Sequence, residues 1–516
     1  MLGDANRGAY RTRYHSIGAQ NRLGAHRFPA LLLIVGVTLA LLTMETATAS
    51  GPAPAAALGA SVFQGPVPRA HCGPGSRLEP GLQGEVPLSA RKSGSSTAGY
   101  WCNLTVVGHY PGEGASWQDT WYRHCEYYDT VFGTGEKHPG VQVIDALNPS
   151  RPRWTTNLTT IAMLDPWESL SVNPTRGLLA GVAVDRYHSG VGGTSGGLFF
   201  DVYSVKQDCT HPQLEASAVA NGLGHEGNWA PDGRTYYATS IAPGTLTAID
   251  VSDPTHPTHL WSQPIDPAIH GFSVSNDGTR LYLATIADAT TGQDGVTILD
   301  VSDIQHRVFP PVIRTIGKVT WTDGSTAQMT IPITIHGHPY LIATDEGSDG
   351  GVRIIDLANE SAPKVIAKLK TEIQMPSNAA RAAQSAAYGR GNGNEGTFGY
   401  NAHYCGVPQR TDPGIVACSE FESGIRVFDI RDPYHPREIA YFNPGGNRIQ
   451  PEPGSNRSGG ESSYTSSRIR ILAGSGEIWF TDQDKGFYIL KFTNGVWPFR
   501  SSPLARSALP DTTSMD

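Results

Sequence analysis

HGFSVSNDGTRLYLATIADATTGQDGVTILDVSDIQHRVFPPVIRTI, residues 270–316, holds one complete structural unit. Its opening, HGFSVSND, alternates apolar and polar residues about Phe272 and Val274, and Asp277-Gly278 is a hairpin-turn pair. RLYLATI (280–286) is a second strand rich in β-formers. A polar loop leads to GVTILDV (295–301), the third. RVFPPVIRTI (307–316) supplies the outermost, whose prolines suit an edge that has no neighbour to feed.

The third-strand phrase recurs seven times: GVQVIDALNP from Gly140, GLFFDVYS from Gly197, GTLTAIDVSDP from Gly244, GVTILDVSD from Gly295, GVRIIDLAN from Gly351, GIRVFDIRDP from Gly424 and GFYILKF from Gly486. Starts lie 47 to 73 residues apart. No single four-stranded unit can bury both faces of its sheet, so neighbours must stack around an axis. The expectation is an all-β, seven-bladed β-propeller of four-stranded antiparallel blades over 75–500, each glycine opening a third strand. WAPDGRTYYATS (229–240) and LSVNPTRGLLAGVAV (170–184) are further first hairpins. The chain near 75–99, or its end near 495, is expected to complete a blade and latch the ring. Only QMPSNAARAAQSAAYG (374–389) suggests a helix, as an insertion.

Residues 1–28 carry arginines at 7, 11, 13, 22 and 27, followed by the apolar run Ala30–Leu42 and by Ala47-Thr48-Ala49. Basic region, apolar core too short to span a bilayer and small-x-small site read as a secretory signal peptide over 1–49. An uncleaved anchor is the alternative. Residues 50–74 form a Pro/Ala/Gly-rich linker and 501–516 a tail. The protein is expected to be secreted or held at the cell surface. Six cysteines, an even count, suit that compartment. YWC (100–102) and HYC (403–405) occupy the same point of their units on this reading, which pairs Cys102 with Cys125 and Cys405 with Cys418, leaving Cys72 and Cys209. The net charge of −8 and the lack of a Lys/Arg cluster past residue 92 argue against a nucleic-acid partner. Nothing after residue 44 could span a membrane. N-x-S/T triplets stand at Asn103, Asn157, Asn359 and Asn456.

VQVIDALNPSRP, LTAIDVSDPTHP and IRVFDIRDPYHP resemble the LVIVD repeat of bacterial secreted and surface proteins. The resemblance covers about 140–492. It implies a propeller and brings no established reaction or ligand. The acid after the apolar run is read at Asp145, Asp201, Asp250, Asp300, Asp356 and Asp429, with Lys491 in the seventh copy.

One column of the first strands carries chemistry. His225 precedes Trp229 by four residues, His270 precedes Val274 by four, His403 precedes Val407 by four and Glu168 precedes Val172 by four. First strands line the channel, so these side chains should converge near one mouth. Three imidazoles and a carboxylate suit Zn, Cu, Fe or Mn, with Glu226 as a further ligand or base. The same residues could instead hydrogen-bond the backbone of neighbouring blades. TDEGSDGG (344–351) and TDQDKG (481–486) are acidic loops that could hold Ca²⁺, and His336 and His338 flank a turn. Trp101, Trp117, Trp121 and Trp154, with Tyr110, Tyr122, Tyr127 and Tyr128, suit a ligand platform or blade packing. Two functions follow. One is an extracytoplasmic scaffold, monomeric, binding a protein, carbohydrate or small molecule. The other is a metal-dependent oxidoreductase or hydrolase centred on the His/Glu column.

Overall fold

The computed structural model describes residues 65–499 apart from 132–134, 185–195, 220–222, 242–243, 289, 348–349, 391–397, 447–452, 454 and 456–463. The leader, most of the linker and the tail lie outside the described residues. Seven antiparallel sheets follow one another. Their first strands are Asp119–Tyr122, Ser171–Asn173, Gly227–Trp229, Ile269–Val274, Ala327–Ile335, Cys405–Gly406 and Arg470–Leu472, which define blades 1 to 7. First strands of successive blades touch one another from blade 1 to blade 6, so they are the innermost. Third strands are Val141–Asp145, Gly196–Ser204, Thr245–Asp250, Asp294–Asp300, Gly351–Asp356, Ile425–Asp429 and Gly486–Phe492, each beginning at or beside the expected glycine.

Apolar burial explains why the sheets stack. Each pair of neighbours shares one core cluster, such as Tyr127, Val143, Leu179 and Tyr203 between blades 1 and 2. The cluster of Tyr128, Ile144, Trp479 and Ile489 joins blade 7 back to blade 1, which makes the ring cyclic. Hydrogen bonds between the two ends of the ring close it. Blade 7 takes its outer strand, Leu104–Tyr110, from the start of the chain, with Leu104 opposite Phe492 and Tyr110 opposite Phe487. Tyr100–Cys102 adds a fifth strand to the edge of blade 6. The latch therefore lies just beyond the 75–99 window. In blade 4 the outer strand is Arg314–Trp321, so Pro310 and Pro311 stand before the ladder, where no amide donor is needed.

The repeated aspartate has a local task. Asp145, Asp250, Asp300, Asp356 and Asp429 end their third strands and accept the amide N–H two residues on, at 2.8–3.1 Å, turning the chain toward the outer strand. Asp201 is not a member of this set. Ser204 holds the equivalent place, and Asp201, three residues earlier, accepts the Ala162 amide (2.8 Å) and the Ser217 hydroxyl (2.5 Å).

Residues 65–99 are laid across blades 5 and 6, so the expected linker ends earlier than residue 74. Val67 donates to the Lys370 carbonyl (2.8 Å). Arg91 pairs with Glu422 at 2.7 Å, both side chains fully buried. Arg426, also fully buried, meets Glu79 at 3.0 Å and Glu438 at 2.9 Å. The insertion helix, Ala379–Arg390, joins this strap through Arg381–Glu85 (2.6 Å). Asn103 is buried, its carboxamide bonded to His71, Gly73 and Ile439, so it is no glycan acceptor in the folded chain.

The cysteines pair as Cys72–Cys102, Cys125–Cys209 and Cys405–Cys418. Only Cys405–Cys418 matches the sequence expectation, stapling the first hairpin of blade 6. The Cys102–Cys125 assignment fails because YWC and HYC are not equivalent. Cys102 lies on an outer edge strand opposite Tyr441, whereas Cys405 opens an innermost one. Peptide mapping without reduction is expected to recover these three linkages and no free thiol. A Cys102–Cys125 peptide would contradict the strand order at the latch.

Candidate metal centre

All four residues of the column sit at the starting ends of first strands, and the local backbone is shaped to aim them. His225 precedes the strand of blade 3 in the left-handed region (φ 69°), which non-glycine residues seldom occupy. His270 lies on a bulge where pairing jumps from Ile269↔Thr285 to Phe272↔Leu283, and such bulges re-aim side chains. Gly271 follows because a Cβ there would overlap the Glu226 carboxylate and the Gln328 carbonyl. Neighbouring blades hold the histidine backbones: Thr239 Oγ1 donates to the His270 carbonyl (2.8 Å) and Thr344 Oγ1 to that of His403 (2.6 Å).

The side chains converge. His225 Nε2 lies 3.0 Å from Glu168 Oε2, and Glu168 Oε1 lies 3.1 Å from His403 Nε2. A fifth residue, Glu346, continues the circuit, with Oε2 3.2 Å from His403 Nε2 and Oε1 3.1 Å from His270 Nε2. His270 Nε2 is 3.1 Å from His225 Nε2, which closes it. Donors at right angles around an ion with bonds of about 2.1–2.2 Å stand about 3.0–3.1 Å apart, the spacing that neighbouring pairs of the circuit show. Among the described residues of the circuit, the set whose ligand atoms all lie within 4.8 Å of one another is Glu168, His225 and His270. His403 Nδ1 donates to the Ser466 carbonyl (2.6 Å), which leaves Nε2 the acceptor in the neutral ring, where the Gln328 amide nitrogen stands 3.3 Å away and also donates to Glu168 Oε2 at 3.2 Å.

Glu346 is the residue the strand alignment misses. It stands in the turn between second and third strands of blade 5, in the acidic loop 344–351, and reaches the same mouth because that turn lies at the starting end of the first strand. Asp345 beside it holds the loop, accepting from Trp321 Nε1 (2.9 Å) and the Gly347 amide (3.1 Å).

Five buried groups share charge. Burial alone would lower the pKa values of His270 and His403, but Glu346 and Glu168 outweigh it, pushing His270 to about 9 and His403 to about 10. Burial alone would raise the two carboxylates. The imidazoles reverse this, holding Glu168 well below its usual range and Glu346 below it. Glu226 is pushed up to about 7, chiefly by burial. Its Oε1 accepts the Tyr404 hydroxyl (2.9 Å) and faces Arg468 (3.6 Å). Glu226 thus backs the centre rather than joining the circuit of donors.

An aromatic lid covers the cluster. Trp117, Trp167, Phe421 and Tyr464 are buried against one another with Phe398. Trp117 and Phe421 lie 5.2 and 5.0 Å from the His403 ring, and Trp167 6.5 Å from that of His225. Trp167, Phe398 and Phe421, like His225, hold positive φ (53°, 58°, 36°), so left-handed backbone gathers at this mouth. Four buried polar atoms here make no hydrogen bond: Trp117 Nε1, Gln328 Oε1, Glu226 Oε2 and His270 Nδ1.

The other sequence candidates separate. His336 faces Asp412 (3.8 Å) and His338 faces Asp356 (2.9 Å), so they share no ligand position. In the loop 481–486, Asp482 accepts the Tyr464, Asp484 and Lys485 amides at 2.9–3.1 Å, and among the described residues neither acidic loop gathers three ligating groups. The tryptophans form no common platform: Trp117 and Trp121 are buried, and Trp154 is exposed on an outer strand. No described helix is long and apolar enough to cross a membrane.

No protein-family profile matches the chain, and no curated protein resembles it in sequence. Among solved structures it is similar to a chain of Kuenenia stuttgartiensis hydrazine synthase, at 11% identity and a TM-score of 0.47, over 74% of this chain and 96% of that one.

Proposed function

We propose that this chain is an exported metalloprotein, an LVIVD-type propeller whose channel mouth holds one first-row divalent metal on Glu168, His225, His270, His403 and Glu346. The observation that carries it is the closed circuit of five donors at 3.0–3.2 Å. Three imidazoles and two carboxylates, with no sulfur, suit Fe, Mn, Co, Ni, Zn or Cu(II). Glu168, His225 and His270, whose ligand atoms all lie within 4.8 Å of one another, would leave an octahedral ion open positions for a small reactant, which favours a metal-dependent oxidoreductase or hydrolase over a purely structural centre. Export is supported by the leader sequence and by the oxidation of all six cysteines.

Metal analysis of protein purified through its native export route is expected to find about one equivalent of transition metal. Metal-free protein that takes up none of these ions on titration would overturn the reading. A second outcome follows from the circuit. Imidazoles that keep their protons to about pH 9 and 10 in the apoprotein must release them to bind. Calorimetry at about pH 7.5, in buffers of differing ionisation enthalpy, is expected to show proton release and an affinity that rises with pH.

A scaffold role has one observation in its favour, an open cavity of about 490 Å³ lined by Asp429, Arg431, Asp432, His435 and Arg437 on blade 6. Both of its arginines are already held by Asp429, so it offers little free charge to a partner.

A further inference from the structure

A second cluster of metal-ligating side chains lies on the opposite face of the ring, at the turn between the first two strands of blade 1. His124 occupies that turn, Cys125 opens the second strand, and Cys209 reaches over from the loop before the outer strand of blade 2. We propose that, when the Cys125–Cys209 disulfide is reduced, these three residues form a thiolate site for a soft or borderline cation such as Zn²⁺. The site is independent of the channel centre and of any activity there.

Three observations carry the inference. His124 Nε2 lies 3.6 Å from Cys209 Sγ, and donor atoms of all three residues lie within 4.8 Å of one another. Two ligands of a tetrahedral zinc, one sulfur at about 2.3 Å and one nitrogen at about 2.05 Å, stand about 3.6 Å apart, so the imidazole is already at ligand distance. The backbone around Cys209 is held without the disulfide. Tyr127 donates its hydroxyl to the Cys209 carbonyl and Thr155 donates to the Thr210 carbonyl, both at 2.8 Å. The two sulfurs would therefore remain neighbours after reduction and need only side-chain rotation to part. A water takes the fourth position. Neither of the other disulfides belongs to such a group among the described residues.

The chemistry balances with a dithiol as reductant. Its thiolate attacks one sulfur and expels the other, then its second thiol closes the reductant's own disulfide, leaving two cysteine thiols and a net transfer of two electrons and two protons. Cation binding then displaces both thiol protons.

The test uses the full chain, made in a reducing compartment or reduced with a dithiol that is then removed, and titrated with Co²⁺. The expected result is a near-ultraviolet thiolate-to-cobalt charge-transfer band that saturates near one equivalent and is displaced by Zn²⁺. The channel centre has no sulfur ligand, so it contributes no such band whether or not it binds metal. His124→Ala is expected to weaken binding by about tenfold or more, and Cys125→Ser with Cys209→Ser to abolish the band. A folded, reduced protein without the band, a band that survives in the double variant, or loss of the fold on reduction would each overturn the proposal.

Discussion

His270→Ala is expected to strip the channel of its metal while the ring stays folded. The imidazole touches His225 and Glu346 in the circuit, so its loss opens two of the five contacts at once. Changes to residues that merely orient a ligand typically cost about 10–100-fold in metal affinity, and losing a ligand should cost at least the upper end of that range. Metal per protein should fall from near one to near zero after dialysis, and any metal-dependent activity should go with it. Circular dichroism should stay unchanged, because the backbone at His270 is held from outside by Thr239. If the cluster were only ion-pair adhesive between blades, the same variant would melt earlier and metal content would not distinguish it from the parent. That outcome would remove the metal centre and leave the fold untouched.

Arg426→Leu is expected to cost about 3–5 kcal/mol of stability in chemical denaturation, the usual penalty for removing one partner of a buried charge network. The guanidinium is fully buried between Glu79 and Glu438 and lies 4.6 Å from the Tyr441 ring centre. Burial already pushes Glu79 to about 7 and Glu420 to about 8, with Arg426 opposing that rise in both. A carboxyl whose folded pKa is raised favours the fold at acid pH and loses that contribution as pH rises through the folded value. The deficit of the variant should therefore be smallest near pH 5 and largest above about pH 8, where leucine leaves several carboxylates facing each other. A deficit that is small and flat with pH would mean that apolar packing, not charge, holds the strap on blades 5 and 6.

Much of this was legible in the residues, for physical reasons that also mark where legibility ends. A third strand buried on both faces must be apolar, and the chain must turn sharply after it, so the phrase from Gly140 to Gly486 repeats and the blade count can be read. The starting end of an innermost strand faces the channel, so the column of His225, His270, His403 and Glu168 could be aligned. Glu346 could not, because it comes from a turn rather than a strand, and a turn has no fixed register against the apolar pattern. Its signal was present as an acidic loop, which composition alone suggested for calcium. The tripeptide YWC misled for a related reason: strand sequence does not say whether the strand is innermost or at the edge. Asp201 shows the same limit on a smaller scale, since an acid three positions early in a longer strand points across the sheet instead of ending it.

The pairing of Leu104 with Phe492 also sets a clock. About 390 residues separate the two, and at synthesis rates of about 5–20 residues per second the partner strand emerges some 20–80 seconds after the latch strand. Throughout that interval blade 7 does not exist, blade 1 has one uncovered flank, and the latch is an unpaired edge strand open to aggregation. The nascent chain is therefore a growing arc that becomes a ring only in its last step, and any helper protein that guards its edges has its work defined by that delay.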